Sequence, residues 1–247
     1  MKKFPLVQFL GGSAGNQSIT VTASSTANVL GSWVSFGTLP FPCDRLQIVI
    51  DSTLQATGFS ALLNIGIGPS GSQTVLISNI PNWNPAANNG FPQANINLDI
   101  PILPSGTELW ANIQSTYASY APRICLGVQL VGHGRRTNYQ NLGAITSSST
   151  GTSFTMGSGS YGSWVSLGSI STSFSELILL SQRDPSSLNT VNIGVGASGS
   201  QTILLENVPI TLLGNFQTFK GVFPSGEYWI QGQGSESFNS VADILVA

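Results

Sequence analysis

The sequence predicts an all-β fold of two tandem antiparallel β-sandwich domains, jelly-roll-like and related by an internal repeat. Three observations predict it. Four blocks of sequence recur in the same order, short segments alternate apolar and polar residues, and clusters of glycine, proline and serine separate those segments. No stretch of a dozen residues keeps a helical period with caps at both ends, so we expect no long helix.

The repeat defines the domains. The matched ranges are 31–37 with 162–168, 64–76 with 192–204, 79–81 with 207–209, and 103–106 with 223–226. Four matches in one order indicate two copies of one domain. We place the first domain at 1–131 and the second at 137–247. A linker at 132–136 joins them, where glycines and the pair Arg135-Arg136 interrupt the apolar pattern.

Alternation within the first copy marks its strands. Period-two segments rich in β-branched residues lie at 18–22, 45–50, 95–100 and 123–131, and turn clusters lie at 68–71 and 104–106. Seven or eight short strands in about 110 residues are typical of an antiparallel sandwich or a jelly roll.

The low charge of the chain excludes several functions. Of 247 residues, 8 are Lys or Arg and 10 are Asp or Glu, which is 7% charged with a formal net charge of -2. Such a surface cannot neutralise phosphates, so we expect no nucleic-acid partner. No apolar run approaches the roughly 18 to 20 residues that span a bilayer, so we expect no membrane partner. The 41% hydrophobic content argues against disorder.

The N-terminus and the two cysteines bear on the compartment. Pro5 and Gln8 break the short apolar stretch after Lys2-Lys3, so we interpret it as mature protein rather than as a signal peptide. Cys43 and Cys125 lie in apolar, strand-like segments of the first half. Two buried thiols in a reducing compartment are the favoured interpretation, and a Cys43–Cys125 disulfide is an alternative that spacing does not decide.

The glycine spacing at 66–71, repeated at 194–199, formally matches a dinucleotide-binding fingerprint. That fingerprint needs a helix after the turn, whereas residues 73–77 have the pattern of a strand. A strand–turn–strand is therefore predicted, with no cofactor. The tryptophans at matched positions, Trp33 with Trp164 and Trp110 with Trp229, are interpreted as core anchors.

The inventory of chemically active residues predicts no enzyme. The single histidine, His133, lies in the linker, so a Ser-His-Asp or Cys-His arrangement would need the linker as its active site. One histidine and two cysteines do not complete a common zinc site, and the amide-rich stretch 82–89 has no acid for calcium. Glu108 and Glu227 occupy nearly matched positions, which suggests a structural role rather than a glycosidase pair. We expect no catalytic residue, no metal ligand and no cofactor.

A family resemblance rests on the repeated blocks. The Gly-Ser-Trp-Val-Ser blocks at 31–35 and 162–166, and the Asn-Ile-Gly-Ile/Val-Gly blocks at 64–68 and 192–196, lie in two nearly uncharged tandem sandwiches. This architecture and composition resemble the virion structural proteins of tailed bacteriophages and related gene-transfer particles. The resemblance implies a non-enzymatic head decoration, spike, fibre or tail-associated protein. It also implies other virion proteins as partners, and a place in a virion assembled in the host cytoplasm.

Weakly charged edge strands favour association. We therefore expect a homo-oligomer, with a trimer favoured, and we expect the first domain to make the more extensive partner contacts. Arg135 and Arg136 are candidate contacts to a neighbouring subunit's carboxylates, with a solvated linker pair as the default interpretation.

The alternative function is a carbohydrate or host-receptor binding module. In it, Trp83, Tyr117 and Tyr120 on loops of the first domain would present flat aromatic faces to a host-surface glycan. A cell-surface or secreted adhesin is a third possibility, which requires export.

Overall fold

A computed structural model describes the chain as two compact units, Met1–Tyr139 and Gln140–Ala247. The described residues are 8–11, 18–51, 59–84, 94–132, 139–143, 151–182, 189–210, 215–234 and 238–246. Within them every regular element is a β-strand. The predicted all-β class is confirmed.

Unit 1 contains two antiparallel sheets. Its strands are β1 (Gln8–Leu10), β2 (Ile19–Thr20), β3 (Val34–Thr38), β4 (Cys43–Asp51), β5 (Phe59–Ile67), β6 (Thr74–Asn84), β7 (Ala94–Leu103), β8 (Glu108–Ser115) and β9 (Arg123–Gln129). The five-stranded sheet has the order β1-β9-β4-β7 with β2 also on β9, and the four-stranded sheet has the order β3-β8-β5-β6. Pairing 2-9-4-7 with 3-8-5-6 is the strand order of an eight-stranded jelly roll, to which β1 is added.

Unit 2 repeats this order strand for strand. Its strands are β10 (Gln140–Leu142), β11 (Thr152–Ser158), β12 (Val165–Ile170), β13 (Phe174–Gln182), β14 (Asn189–Val195), β15 (Thr202–Ile210), β16 (Asn215–Phe223), β17 (Gly226–Gly234) and β18 (Phe238–Val246). The two sets are β11-β18-β13-β16 with β10 on β18, and β12-β17-β14-β15. Here β11 also pairs in parallel with β17, so the two sets form one continuous nine-stranded sheet.

The core of each unit comes from alternation along its central strands. In unit 1, Leu46, Ile48 and Ile50 on β4 are fully buried, as are Leu63 and Ile65 on β5. In unit 2 the inward residues of β14 and β17 join one apolar cluster with those of β13 and β18. Since successive side chains on a strand point to opposite faces, the intervening residues lie on the outer faces of the sheets.

One repeated glycine produces the same bulge in both units. The register between β3 and β8 shifts between Ser35 and Gly37, and that between β12 and β17 shifts between Ser166 and Gly168. Both glycines have positive φ, 93° and 124°. A bulge residue in this conformation favours glycine, which explains why the Gly-Ser-Trp-Val-Ser block ends as it does.

The two compact units divide at 139/140, and the linker at 132–136 stays a prediction. Tyr139 is buried in unit 1, where its hydroxyl accepts a hydrogen bond from the backbone N–H of Asp99 at 3.2 Å. That contact keeps the chain with the first unit beyond the glycines that suggested the boundary. Residues 133–138 lie outside the described residues.

Candidate functional site

The matched tryptophans lie on the outer faces of the sheets, not between them. Trp110 is directly opposite Gly66, and Trp229 is directly opposite Gly194, so each pair shares one face. The neighbouring residues Ile65 and Ile193 point the other way and are fully buried in the core. Trp110 is buried, as its interpretation as a core anchor predicted, whereas Trp229 is half-buried; strand alternation places both on the outer face of their sheet.

A second tryptophan lies over the glycine on each outer face. A Cβ added to Gly66 would lie 2.9 Å from ring atoms of Trp33, and one added to Gly194 would lie 3.1 Å from the ring of Trp164. A methyl group at Gly66 would make the Trp33 ring shift, and one at Gly194 would make the Trp164 ring give by a few tenths of an ångström. Both Trp33 and Trp164 are half-buried.

The repeated glycine block that follows is a turn, as predicted. Gly68 and Gly196 have positive φ, and their carbonyls accept hydrogen bonds from the indole N–H groups of Trp110 and Trp229 at 2.7 and 2.8 Å. The strand–turn–strand prediction is confirmed, since β5 and β14 end before the turn and β6 and β15 begin after it.

The repeated asparagines Asn64 and Asn192 make matching hydrogen bonds to the neighbouring strand. The Oδ1 of Asn64 accepts a hydrogen bond from the backbone N–H of Asn79 at 2.8 Å, and Asn192 does the same for Asn207 at 2.8 Å. Asn79 and Asn207 both have positive φ, 55° and 53°, a conformation that asparagine tolerates better than most residues. The repeated blocks thus build the fold.

The matched glutamates are part of it too. Glu108 accepts a hydrogen bond from the hydroxyl of Ser35 at 3.4 Å, and Glu227 accepts one from Ser166 at 2.7 Å. Each contact joins the first strand of its sheet to the next, which is the structural role the spacing suggested.

One row of the outer face differs between the units. In unit 2, Thr190 and Gln233 are opposite each other, and the hydroxyl of Tyr161 lies 3.2 Å from that of Thr190 and donates a hydrogen bond to Asn207 Oδ1. In unit 1 the corresponding pair is Leu62 and Gln114, and Leu30 stands where unit 2 has Tyr161. Tyr161 lies one residue before the matched block 162–168, and its difference from Leu30 is the signal in the sequence that points to it.

Tyr117 and Tyr120, two of the predicted contact residues, differ in exposure. Tyr117 is exposed on the turn after β8. Tyr120 is 2% exposed, and its hydroxyl accepts a hydrogen bond from the side-chain amide of Asn82 at 3.0 Å. The interpretation of Tyr120 as a surface aromatic is therefore wrong: its ring fills the core and its hydroxyl satisfies a buried amide.

Trp83 lies on a strand rather than in a loop. Its backbone belongs to β6, opposite Ser60, and the described residues do not include its side chain. Arg135, Arg136 and His133 lie outside the described residues. The turn that carries Tyr117 and Tyr120 nevertheless lies against the end of β6, because Tyr120 bonds Asn82 and Thr116 bonds Ser60, the residue opposite Trp83.

The two cysteines are free thiols. Cys125 is opposite Val49, six residues along β4 from Cys43, a separation of roughly 20 Å at about 3.3 Å per residue. A disulfide needs Cα atoms within about 7 Å, so this alternative is excluded. Burial raises the pKa of both thiols above their ordinary value, which keeps them protonated near neutral pH.

Among the described residues, no group of three or more His, Cys, Asp or Glu side chains could hold a metal ion. The described part of the chain also contains no helix that is long and apolar enough to cross a membrane.

No protein-family model matches the sequence, and no curated protein does. Solved structures with similar arrangements include a chain of Sulfolobus turreted icosahedral virus (TM-score 0.39, 9% identity, covering 98% of this chain and 90% of that one). The CBM22-1–CBM22-2 tandem domain of Paenibacillus barcinonensis Xyn10C matches with a TM-score of 0.29 and 9% identity. The match covers 98% of this chain and 90% of that one. The VP2 subviral particle of infectious bursal disease virus matches with a TM-score of 0.29 and 11% identity. The match covers 97% of this chain and 71% of that one. At these TM-scores the likenesses do not define a function for this chain.

Proposed function

We propose that this protein is a non-enzymatic structural component of a virus particle and that it acts by self-assembly through the edges of its sheets. The proposed self-assembly is supported by one observation, the exposed aliphatic side chains on the edge strands. On the edge strands β7 and β16, the matched positions Ile102 and Val222 both expose an aliphatic side chain, by 61% and 91%. On the opposite edges β6 and β15, the matched pair Val75 and Ile203 is exposed as well.

These four residues are exposed by 42% for Val75 up to 91% for Val222, so a large part of their apolar surface lies in water. An edge strand also presents unpaired N–H and C=O groups, which proteins commonly protect with charged residues, lysine in particular. Among the four edge strands named above only β16 carries a lysine, Lys220. Sparsely charged edges that recur in both units favour pairing with further copies of this chain.

The virion part of the proposal rests on the resemblance in composition and on the jelly-roll order. This fold serves viral capsid proteins and lectins alike, so it is a fold-level analogy and does not by itself establish a function.

Light scattering tests the assembly. At 10 μM the mass measured by light scattering should be that of a trimer of the 25.8 kDa chain. Changing Ile102→Lys together with Val222→Lys should give the monomer, because like charges repel along the new edge. The matched control Ser70→Lys, which adds the same charge on an exposed turn, should leave the trimer intact. A wild-type monomer, or a trimer unaffected by both edge lysines, contradicts assembly by these edges.

The single variants test which unit dominates. If the first domain makes the larger contact, Ile102→Lys alone should weaken assembly more than Val222→Lys alone. For the virion part, mass spectrometry of virus particles purified from the source should find the chain as a major component. Its absence from the particles contradicts that part and leaves the assembly result standing.

A further inference from the structure

We infer that unit 2 carries a binding surface for a neutral saccharide on the outer face of its β12-β17-β14-β15 set. The surface, called here the Tyr161–Trp164 face, is formed by two aromatic rings and the amide side chains of Asn207, Gln201 and Gln233. It includes residues of β15, one of the edge strands in the assembly proposal, but none of the exposed aliphatic side chains on which that proposal rests.

The two rings lie at either end of one strand. Trp164 lies over Gly194, and the hydroxyl of Tyr161 reaches Thr190, four residues earlier on β14. Four residues of strand are roughly 13 Å. Both residues are half-buried, and the edge of the Trp164 ring lies against Gly194.

The hydrogen bonds of Tyr161 hold its ring in place. Its hydroxyl contacts Thr190 on β14 and Asn207 on β15, so the side chain is anchored to two adjacent strands. A ring fixed before the ligand arrives loses little rotamer entropy on binding, which favours recognition by stacking.

Amide groups lie beside the rings. Gln201 has its Cβ 3.3 Å from the Cβ position of Gly194, next to Trp164, and Gln233 is opposite Thr190, next to Tyr161. Asn207 is exposed on β15. An amide offers both a donor and an acceptor to a hydroxyl group.

The chemistry of this set selects the ligand class. Aromatic rings accept the apolar C–H face of a sugar, while amides bond its hydroxyl groups. Among the described residues no lysine or arginine belongs to the face. Of its nearby acids, Glu227 accepts the bond from Ser166, and Glu206 is exposed on β15 next to Asn207. Without a cation the face does not favour a phosphate or a sulfate, and its rings and amides fit a neutral saccharide.

Unit 1 lacks this surface at one end. Leu30 and Leu62 replace Tyr161 and Thr190, although Trp33 still lies over Gly66. The chain therefore contains its own matched control, one unit with both rings and one with a single ring.

Binding is tested with the full chain on a glycan array and by titration with cellohexaose, xylohexaose and mannohexaose, followed by tryptophan fluorescence. At least one neutral glycan should bind. Trp164→Ala should weaken that binding about tenfold or more, and Tyr161→Leu, the residue of unit 1, should weaken it several-fold. The matched variant Trp33→Ala should leave the binding unchanged.

Tyr161→Phe keeps the ring and removes only its hydroxyl, so it should weaken binding less than Tyr161→Leu. This variant keeps the test decisive if Trp164→Ala does not fold. Binding confined to charged glycans, no binding on the array, or equal losses from Trp33→Ala and Tyr161→Leu would overturn the proposal. The light-scattering mass of Tyr161→Leu should stay that of the wild type, which separates this result from the assembly test.

Discussion

The same end of the core is filled by aliphatic and sulfur groups in unit 1 and by aromatic rings in unit 2. Cys43 is opposite Leu103, and at the matched positions Phe174 is opposite Phe223. Leu109 and Tyr228 also occupy matched positions. The rings of Phe174 and Phe223 stack at 5.1 Å, and Phe174 and Tyr228 are 5.4 Å apart. One strand order therefore tolerates two different packings, because the order depends on the period of burial rather than on the shapes of the buried side chains.

A second contrast concerns charge. Arg45 on β4 pairs with Asp99 on β7 at 2.6 Å. At the matched register of unit 2, Glu176 is opposite Lys220, so the acid and the base have exchanged strands. Opposite charges across a strand pair are stabilising in either orientation, which explains why both arrangements exist.

The largest expected effect concerns the aromatic end of unit 2. Phe223→Ala should lower the free energy of unfolding by about 4 kcal/mol, since it removes a buried ring and leaves a cavity. Leu103→Ala, its match in unit 1, should cost about 3 kcal/mol. Denaturant unfolding of the full chain measures both, with hydrogen exchange assigning each loss to its unit. A larger loss for Leu103→Ala would show that the aliphatic end contributes more.

The glycines under the tryptophans come next. Gly66→Ala should cost about 2 kcal/mol, because the new methyl group forces the Trp33 ring to move. Gly194→Ala should cost about 1 kcal/mol, since its clearance is slightly larger. Gly221→Ala, whose Cβ would meet only an ordinary contact at 3.8 Å, is the control and should be nearly neutral. Thermal unfolding gives the order, and equal shifts for all three would refute the steric argument.

The exchanged charges can be tested by copying one unit into the other. Arg45→Glu and Asp99→Lys should each destabilise unit 1, and the double variant should recover part of the loss. A double-mutant cycle should give a coupling of about 1.5 kcal/mol, because the Arg45 head is partly exposed while Asp99 is not. Strictly additive losses would mean that the orientation of the pair matters more than its charges.

The smallest effect is a pH dependence. Burial raises the pKa of Tyr228 above its usual range, whereas unit 1 has Leu109 at this position. Above pH 10 the unfolded chain loses the tyrosine proton and the folded chain keeps it, so stability falls as pH rises. Tyr228→Phe should reduce the loss between pH 10 and 11 by about 1 kcal/mol. An unchanged pH profile in this variant would show that Tyr228 does not contribute.

The accuracy of the sequence predictions differed between the fold and the contact residues. Alternation and the four repeated blocks were sufficient for the all-β class, because burial with period two and positive-φ turns are local requirements. The exposure of a side chain, in contrast, is not determined by nearby sequence. Tyr117 and Tyr120 lie three residues apart on one turn, yet Tyr120 is buried and Tyr117 faces solvent.

The sequence by itself determined the two copies, their strands and the turns between them, since each depends on residues close together in the chain. Only the tertiary structure decided which face each tryptophan occupies, where Cys43 and Cys125 lie relative to each other, and that Tyr161 reaches two neighbouring strands. These depend on how strands distant in sequence pair side by side, and a one-residue change of register would turn every side chain on a strand to the other face.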